Sequence, residues 1–215
     1  MRSSIKKEDR IMQHAIRLYG VGGTRSARCR WVLYELGLDF EYIDRDGLIG
    51  SDELRTFHPQ AKSPAAVIDG LVLFESSAIC NYLCDMVADN KLLAPSGTPA
   101  RGRHEQWVSF AQSEIEGWLW SNFKHRTLYP EKRRVPAVIE QNYKEIHAGL
   151  SVLEKTCTES DYLVGDEFSA TDIIVGWTVN WARNGGKVSF DEFPSLSAYL
   201  GRLFAREHCT LSPPD

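Results

Sequence analysis

No stretch of this sequence approaches the roughly 18 consecutive apolar residues that a membrane-spanning helix requires, so no membrane partner is expected. An excess of positive charge is also missing. Twenty-five Lys and Arg stand against 29 Asp and Glu, a formal net charge of −4, which argues against a nucleic acid or an anionic membrane surface as partner. Cysteine is sparse and odd in number, with Cys29, Cys80, Cys84, Cys157 and Cys209 spread along the chain. The N-terminal stretch Met1 to Arg10 is polar and charged and has no signal-like apolar region. Together these predict reduced thiols in a cytoplasmic protein rather than a disulfide framework. Cys80 and Cys84 stand one helical turn apart, but no histidine cluster accompanies them. They read as two small buried residues on one helix face, and no metal site is expected. Internal repeats and low-complexity runs are absent. What remains is a chain of 215 residues, 43% apolar and 25% charged, long enough for a sizeable core in one or two domains.

The densest local signal runs from Lys62 to Ser77. The short apolar runs Ala65 to Asp69 and Leu71 to Phe74 flank Asp69-Gly70, a pair that tolerates the positive φ a two-residue hairpin turn demands. Lys62-Ser63-Pro64 precedes the first run, and Glu75-Ser76-Ser77 comes after the second and opens a stretch of helical spacing. Ser76 reads as the N-cap, at a helix N-terminus whose N–H groups and dipole suit an anion. A proline before a strand, a hairpin and an anion-ready helix start suggest a site for an extended, peptide-like acid.

In chain order, residues 1–13 read as an N-terminal extension, with Met12 an alternative start. Ile16 and Leu18 alternate with polar residues in a strand from His14 to Tyr19. Gly20-Val21-Gly22-Gly23 turns the chain, and Ala27, Trp31, Val32 and Leu36 mark a helix that Gly37 terminates. Phe40 to Ile43 is a second strand, which a crossover of this size favours pairing in parallel with the first. A short helix from Ser51 to Phe57, the hairpin, and a helix from Ser76 to Val87 complete the order β-α-β-α-β-β-α. That is a thioredoxin-like α/β domain, assigned to residues 14–90. Residues 91–100 form a linker rich in small residues, and residues 101–215 an all-helical domain. In it, Arg101 to Phe123 carries Trp107, Phe110, Ala111, Ile115 and Leu119 on one face, Pro130 and Pro136 bracket a break, and Val138 to Thr156 is amphipathic. Ser169-Ala170-Thr171-Asp172 is a capping box before a helix, Ile173 to Trp181, that is apolar nearly all round.

Over residues 14 to 206 this set of motifs resembles the glutathione S-transferase superfamily, and its bacterial-type cytosolic members in particular. The resemblance is carried by Leu18-Tyr19 before a glycine turn, Arg28-x-x-Trp31, and Glu35-Leu36-Gly37-Leu38. It continues through His58-Pro59-Gln60-Ala61-Lys62-Ser63-Pro64, similar to the family's Asn-Pro-x-Gly-Lys-Val-Pro, and Glu75-Ser76-Ser77-Ala78-Ile79. Ser169-Ala170-Thr171-Asp172 and Pro194-x-Leu196-x-x-Tyr199-x-x-Arg202 close it.

The resemblance implies roles by position. Pro64 is the cis-proline that turns the Ser63 main chain toward the cysteinyl unit of glutathione; Glu75 and Ser76 hold the γ-glutamyl end, and Lys62 lies near the glycyl end. Glutathione is then a co-substrate, with no permanently bound cofactor. The thiol needs a hydroxyl donor to form a thiolate at neutral pH. The turn here is Gly22-Gly23-Thr24 where relatives carry Pro-x-Ser. Thr24 is the first candidate, Tyr19 at the position of the family's catalytic phenol the second, and Ser26 the third. As alternatives, Tyr19 packs at a strand end and Thr24 or Ser26 caps a helix. Arg25 could help neutralise the ligand or its thiolate, or sit as a solvated cation at the helix start. The electrophile pocket is expected around Trp118, Trp120, Phe123 and His125, with Tyr129 and Arg126 nearby. Trp118 and Trp120 cannot share a helix face, so one should pack in the core or at a subunit interface.

The expected function is a homodimeric detoxification enzyme, a glutathione transferase conjugating small hydrophobic electrophiles. The alternatives are another glutathione-dependent reaction on the same site (isomerase, dehalogenase or peroxidase) and a non-catalytic binding or scaffold protein with this fold.

Overall fold

The computed structural model describes residues 14–213; the N-terminal extension expected over 1–13 lies outside the described residues. Four short strands form one sheet in the order β2-β1-β3-β4, where β1 is Ile16–Tyr19, β2 Glu41–Ile43, β3 Ala65–Ile68 and β4 Leu71–Phe74. β1 and β2 run parallel in the register Arg17 to Glu41, as the intervening helix α1 (Ser26–Glu35) requires. β3 runs antiparallel to both β1 and β4. All four residues of β3 are buried, as befits a strand with neighbours on both edges, whereas the edge strand β4 is mostly exposed.

The hairpin forms where Asp69-Gly70 predicts it. Ile68 pairs with Leu71 across the turn, and Asp69 and Gly70 take φ of 49° and 87°. The Asp69 carboxylate also receives the Ala15 N–H at 2.8 Å and contacts His14 Nδ1 at 2.6 Å, so one turn residue ties the start of β1 to the hairpin. Two further helices complete the first half: α2 (Asp52–Arg55), capped by the Ser51 hydroxyl at 3.1 Å, and α3 (Ser76–Met86).

Thr98 caps α4 (Pro99–Ala111) through the Arg101 N–H at 3.2 Å, with Pro99 in the first turn, where its missing N–H costs nothing. The long helix expected from Arg101 to Phe123 exists, but not as a uniform α-helix. A π-helical turn (Gln112–Glu116) interrupts it before α5 (Gly117–Phe123), and a second (Lys124–Leu128) ends it. Helix α6 (Pro136–Glu159) crosses closely here. A Cβ on Gly149 would lie 2.6 Å from Ile115 Cγ1 and 2.9 Å from the Glu114 carbonyl, so only glycine lets α6 pack against the π-turn.

Helix α7 (Ala170–Arg183) is the buried helix of the second half, and α8 (Pro194–Phe204) packs on it. The start of α7 is fixed by Asp172, fully buried, whose carboxylate takes the Ser169 N–H at 2.9 Å, the Leu163 N–H at 3.0 Å and the Tyr199 hydroxyl at 3.1 Å. One continuous apolar core joins Trp31, Val32 and Leu33 of α1 and Ile79 and Leu83 of α3 to Ile173, Ile174 and Val175 of α7. A smaller cluster of Tyr19, Leu48, Leu54, Ala61, Ala65 and Val67 lies on the other side of the sheet. Among the described residues, no helix is long and apolar enough to cross a membrane.

Candidate functional site

The seam between the sheet half and the helical half opens into a cavity of about 510 Å³. Its walls come from the turn before α1, the segment before β3, the first turn of α3 and the π-turn of the second half. Thr24, Arg25, Lys62, Ser63, Pro64, Glu75, Ser76 and Trp120 all line it, so residues separated by up to about a hundred positions meet in one place, in the size range of small-molecule sites.

The Ser63–Pro64 bond is cis. The turn before α1 is pinned from both halves: the Gly22 N–H donates to Asp44 Oδ2 at 3.0 Å, and Trp177 Nε1 on α7 donates to the Gly23 carbonyl at 3.2 Å. This holds the Thr24 hydroxyl 3.1 Å from the Ser63 hydroxyl and 3.1 Å from the Ser26 hydroxyl. Neither Thr24 nor Ser26 caps α1, whose N-cap residue is Arg25 and has no side-chain cap. The other two hydroxyl candidates lie off the cavity wall. Tyr19 is 2% exposed and stacks on Phe57 in the smaller apolar cluster, with ring centroids 4.5 Å apart, and Ser26 is fully buried behind Thr24.

At the start of α3 the structure departs from expectation. Glu75, not Ser76, occupies the cap position, with φ of 73°, a left-handed conformation that is costly for a residue with a side chain. Ser76 is the first helical residue, and its hydroxyl accepts from Arg28 Nη1 at 3.1 Å. Ser77 likewise receives Gln112 Nε2 at 3.0 Å. The first turn of α3 is therefore fixed by side chains from α1 and from the π-turn rather than by its own cap.

Glu116 organises this end of the cavity. It is 5% exposed and pairs with both Arg25 and Arg28, and its Oε2 accepts from the Thr178 hydroxyl at 2.7 Å. Arg28 is itself 1% exposed and also donates to Thr178 Oγ1 at 2.6 Å and to the Ile174 carbonyl at 3.1 Å. Burial pushes the Glu116 carboxyl up, but the Arg28 and Arg25 guanidinium groups more than offset this and hold it down at about 2. Arg25 is thus not a solvated cation at a helix start; it is ion-paired and lies 5.6 Å from the Trp120 ring and 5.1 Å from Trp181.

Lys62 reaches over Trp120, with its Nζ 5.6 Å from the ring centroid. His58 also borders the cavity, accepts the Gln60 N–H on Nδ1 at 3.1 Å, and is pushed below the usual imidazole range, mainly by burial. Of the aromatic set expected around the second substrate, only Trp120 reaches the wall. Phe123 stacks on Trp120 from outside, His125 accepts the Val135 N–H at 3.1 Å, Arg126 bonds Tyr143 and the Gly186 carbonyl, and Trp118 is 36% exposed on another face.

Glu116, Gln112, His58 and Ile49 are wall residues that residue-type reasoning passed over. Glu116 carried no clear signal, because Gln112, Ser113 and Glu114 beside it make the segment polar and nothing marks which acid is buried. The π-turn that aims it inward leaves no mark in the sequence. The five cysteines are free thiols, and among the described residues no cluster of metal-ligating side chains occurs. The site works with charges at one end, a row of hydroxyls in the middle and an indole wall. That division suits a small ligand with ionised ends and a group activated by hydrogen bonding.

Known proteins share the same division of the chain. The family model described as glutathione S-transferase, N-terminal domain, matches residues 14–85, and that described as glutathione S-transferase, C-terminal domain, matches residues 136–202. Glutathione transferase GST 23 of Zea mays is 26% identical over 198 residues, covering 87% of this chain and 84% of that protein. A crystal structure of a glutathione transferase from Methylococcus capsulatus str. bath superposes with a TM-score of 0.79 at 28% identity, over 91% of this chain and 95% of the other. The glutathione transferase URE2P6 from Phanerochaete chrysosporium, in complex with oxidized glutathione, superposes with a TM-score of 0.78 at 26% identity, over 90% and 92%.

Proposed function

The chain belongs to the glutathione S-transferase superfamily, and from that premise we propose that its cavity binds glutathione and activates the thiol for attack on a small hydrophobic electrophile. The observation that carries this reading is the meeting of Thr24, Ser63, Ser76, Glu75 and Lys62 in one cavity with a hydroxyl at its centre. The similarity to URE2P6, whose structure contains oxidized glutathione, supports the choice of ligand.

The γ-glutamyl end would lie at the first turn of α3, where Ser76 and Glu75 offer a donor and an acceptor. The cysteinyl unit would pair with the Ser63 main chain, and the glycyl carboxylate would meet Lys62. A free thiol titrates near 8.5, so only a few per cent is thiolate at neutral pH. A Thr24 hydrogen bond to sulfur stabilises the anion and not the thiol, and each unit by which it lowers the pKa represents about 1.4 kcal/mol. The thiol proton leaves to solvent, and the thiolate then attacks an electrophile resting on Trp120, forming a C–S bond as the electrophile's leaving group (chloride, for a chloronitrobenzene) departs with its bonding pair to solvent. The active form would be a homodimer joined through the exposed apolar side chains of β4 and α3: Leu71, Val72, Phe74 and Tyr82.

Calorimetry with reduced glutathione at millimolar concentration and turnover of a chloronitrobenzene substrate test this directly. Binding with turnover is expected. Thr24→Ala should bind with similar affinity while raising the pKa of the bound thiol by about one unit, about tenfold less thiolate at neutral pH. No binding at millimolar glutathione would overturn the assignment. Binding without turnover would point instead to another glutathione-dependent reaction or to a binding protein. An unchanged thiol pKa in Thr24→Ala would remove Thr24 from its role.

A further inference from the structure

Behind Thr24 the hydroxyl row continues into the protein. The Ser26 hydroxyl lies 3.1 Å from Thr24 Oγ1 and 3.1 Å from the Tyr42 hydroxyl, while Thr24 Oγ1 is also 3.1 Å from Ser63 Oγ. From these contacts we infer that Tyr42 and Ser26 are positioning residues that orient and polarise the Thr24 hydroxyl toward the ligand sulfur. The inference rests on the glutathione reading above and goes beyond it, because neither residue touches the cavity.

A hydroxyl has one proton to donate and two lone pairs to accept with. If Thr24 donates to Ser63 or Ser26, its proton is not available to a thiolate. One orientation of the row turns the Thr24 proton to an anion in the cavity, and it is the one we assign. Tyr42 donates to Ser26, Ser26 donates to Thr24, Ser63 also donates to Thr24, and Thr24, with both lone pairs filled, has only the outward direction left for its own proton. No proton moves along the row; each hydroxyl keeps its own. Hydrogen bonds in such a chain strengthen one another, by about 10–30% per bond in condensed phase.

The surroundings fit a donor at the far end. Ser26 is fully buried, so water cannot replace Tyr42 as its donor. Gly20 makes the contact possible: a Cβ there would lie 2.3 Å from Ser26 Cβ and 2.9 Å from the Tyr42 ring. Burial keeps the Tyr42 phenol above its ordinary range and hence protonated. The charged and titratable groups around Tyr42 are Arg30 and Cys29 of α1 and Asp44 after β2, with the Arg30 guanidinium 4.9 Å from the ring centroid. At the cavity end, Arg25, Lys62, His58, Glu75 and Glu116 border the same space as Thr24.

The test is an ultraviolet titration of the thiolate of bound glutathione in wild type, Tyr42→Phe, Ser26→Ala and the double variant, with urea unfolding of each. Tyr42→Phe should raise the bound-thiol pKa by about half a unit and Ser26→Ala by at least as much. The double variant should match Ser26→Ala alone, because Tyr42 acts only through Ser26. Tyr34→Phe, at an exposed tyrosine away from the cavity, is the control and should titrate as wild type. A Tyr42→Phe protein that loses stability but titrates as wild type, or shifts that add in the double variant, would overturn the inference while leaving Thr24 in place. A wild-type protein that binds glutathione without lowering its thiol pKa, or does not bind it, would overturn the functional reading and this inference together.

Discussion

Glu116 pairs with two guanidinium groups and a hydroxyl while 5% exposed, and its partner Arg28 is more deeply buried still. Desolvation of such a cluster opposes much of its internal attraction, so its net contribution to stability is small while it is intact. Breaking it is another matter, because Arg28 then stays buried without a counter-charge. Glu116→Gln should lower the unfolding free energy by about 3 kcal/mol, read as a fall in the urea midpoint with an unchanged slope. The same variant frees the Arg28 fork that holds Ser76, so glutathione affinity should fall as well. A midpoint within experimental error of wild type would show that solvent reaches the pair and shares its charge. Residue chemistry made some of this site legible. Lys62, Ser63, Pro64, Glu75 and Ser76 lie close together in sequence and carry a recognisable order, and all of them line the cavity. Glu116 stands far along the chain from them, and only the fold brings it to the same wall.

The hairpin formed where local chemistry predicts it, since a two-residue Asp-Gly turn leaves its strands little choice of register, whereas the cap of α3 fell on Glu75 and not on Ser76. The π-turn at Gln112–Glu116 was not legible. It lies where Gly149 of α6 passes closely, a tertiary contact, and the apolar period of the surrounding helix continues through it. Trp118 and Trp120 stand two apart on α5 and so point to different sides of it, Trp120 to the cavity and Trp118 to a half-exposed face. The edge strand β4 is apolar where it meets solvent. Leu71, Val72 and Phe74 are each more than two-fifths exposed, and Tyr82 of α3 adds to them. An open edge carrying a row of large apolar side chains is a surface that monomeric proteins avoid, and a second copy of the chain is its proposed cover. Sedimentation at micromolar concentration should give the mass of two chains, and Val72→Lys together with Leu71→Lys should halve it without unfolding the protein. A single-chain mass for the unaltered protein would refute the assembly.

The two halves of the molecule fold as partners, since one apolar core runs from the sheet through α1 and α3 into α7. His104 is a buried bridge in this coupling. It sits on α4, 2% exposed, with Nδ1 2.9 Å from Thr171 Oγ1 on α7 and Nε2 3.0 Å from Asn81 Oδ1 on α3. Burial pushes its pKa down to about 4; Glu105 and Asp85 pull it up and Arg101 pulls it down, but the upward pull does not overcome desolvation. In the unfolded chain the same imidazole titrates near 6.5. Between these two values the unfolded state binds a proton that the folded state refuses, so the neutral ring contributes its full stability above about pH 6.5 and loses it progressively toward pH 4. From pH 7 to pH 5 the loss from this one group is about 2 kcal/mol. His58, also held low by burial, adds to it in the same direction. The stability that Glu116 gains from being held at about 2 is lost only as pH falls from the ordinary carboxyl range toward that value, below this window. Urea unfolding of wild type and His104→Gln at the two pH values separates the contributions. The variant starts lower at pH 7, because glutamine fills the Thr171 and Asn81 contacts imperfectly, but its stability should fall by about 2 kcal/mol less on acidification. An equal fall in both proteins would mean that the ring reaches solvent in the folded state, and that the seam between the halves opens far enough to admit water.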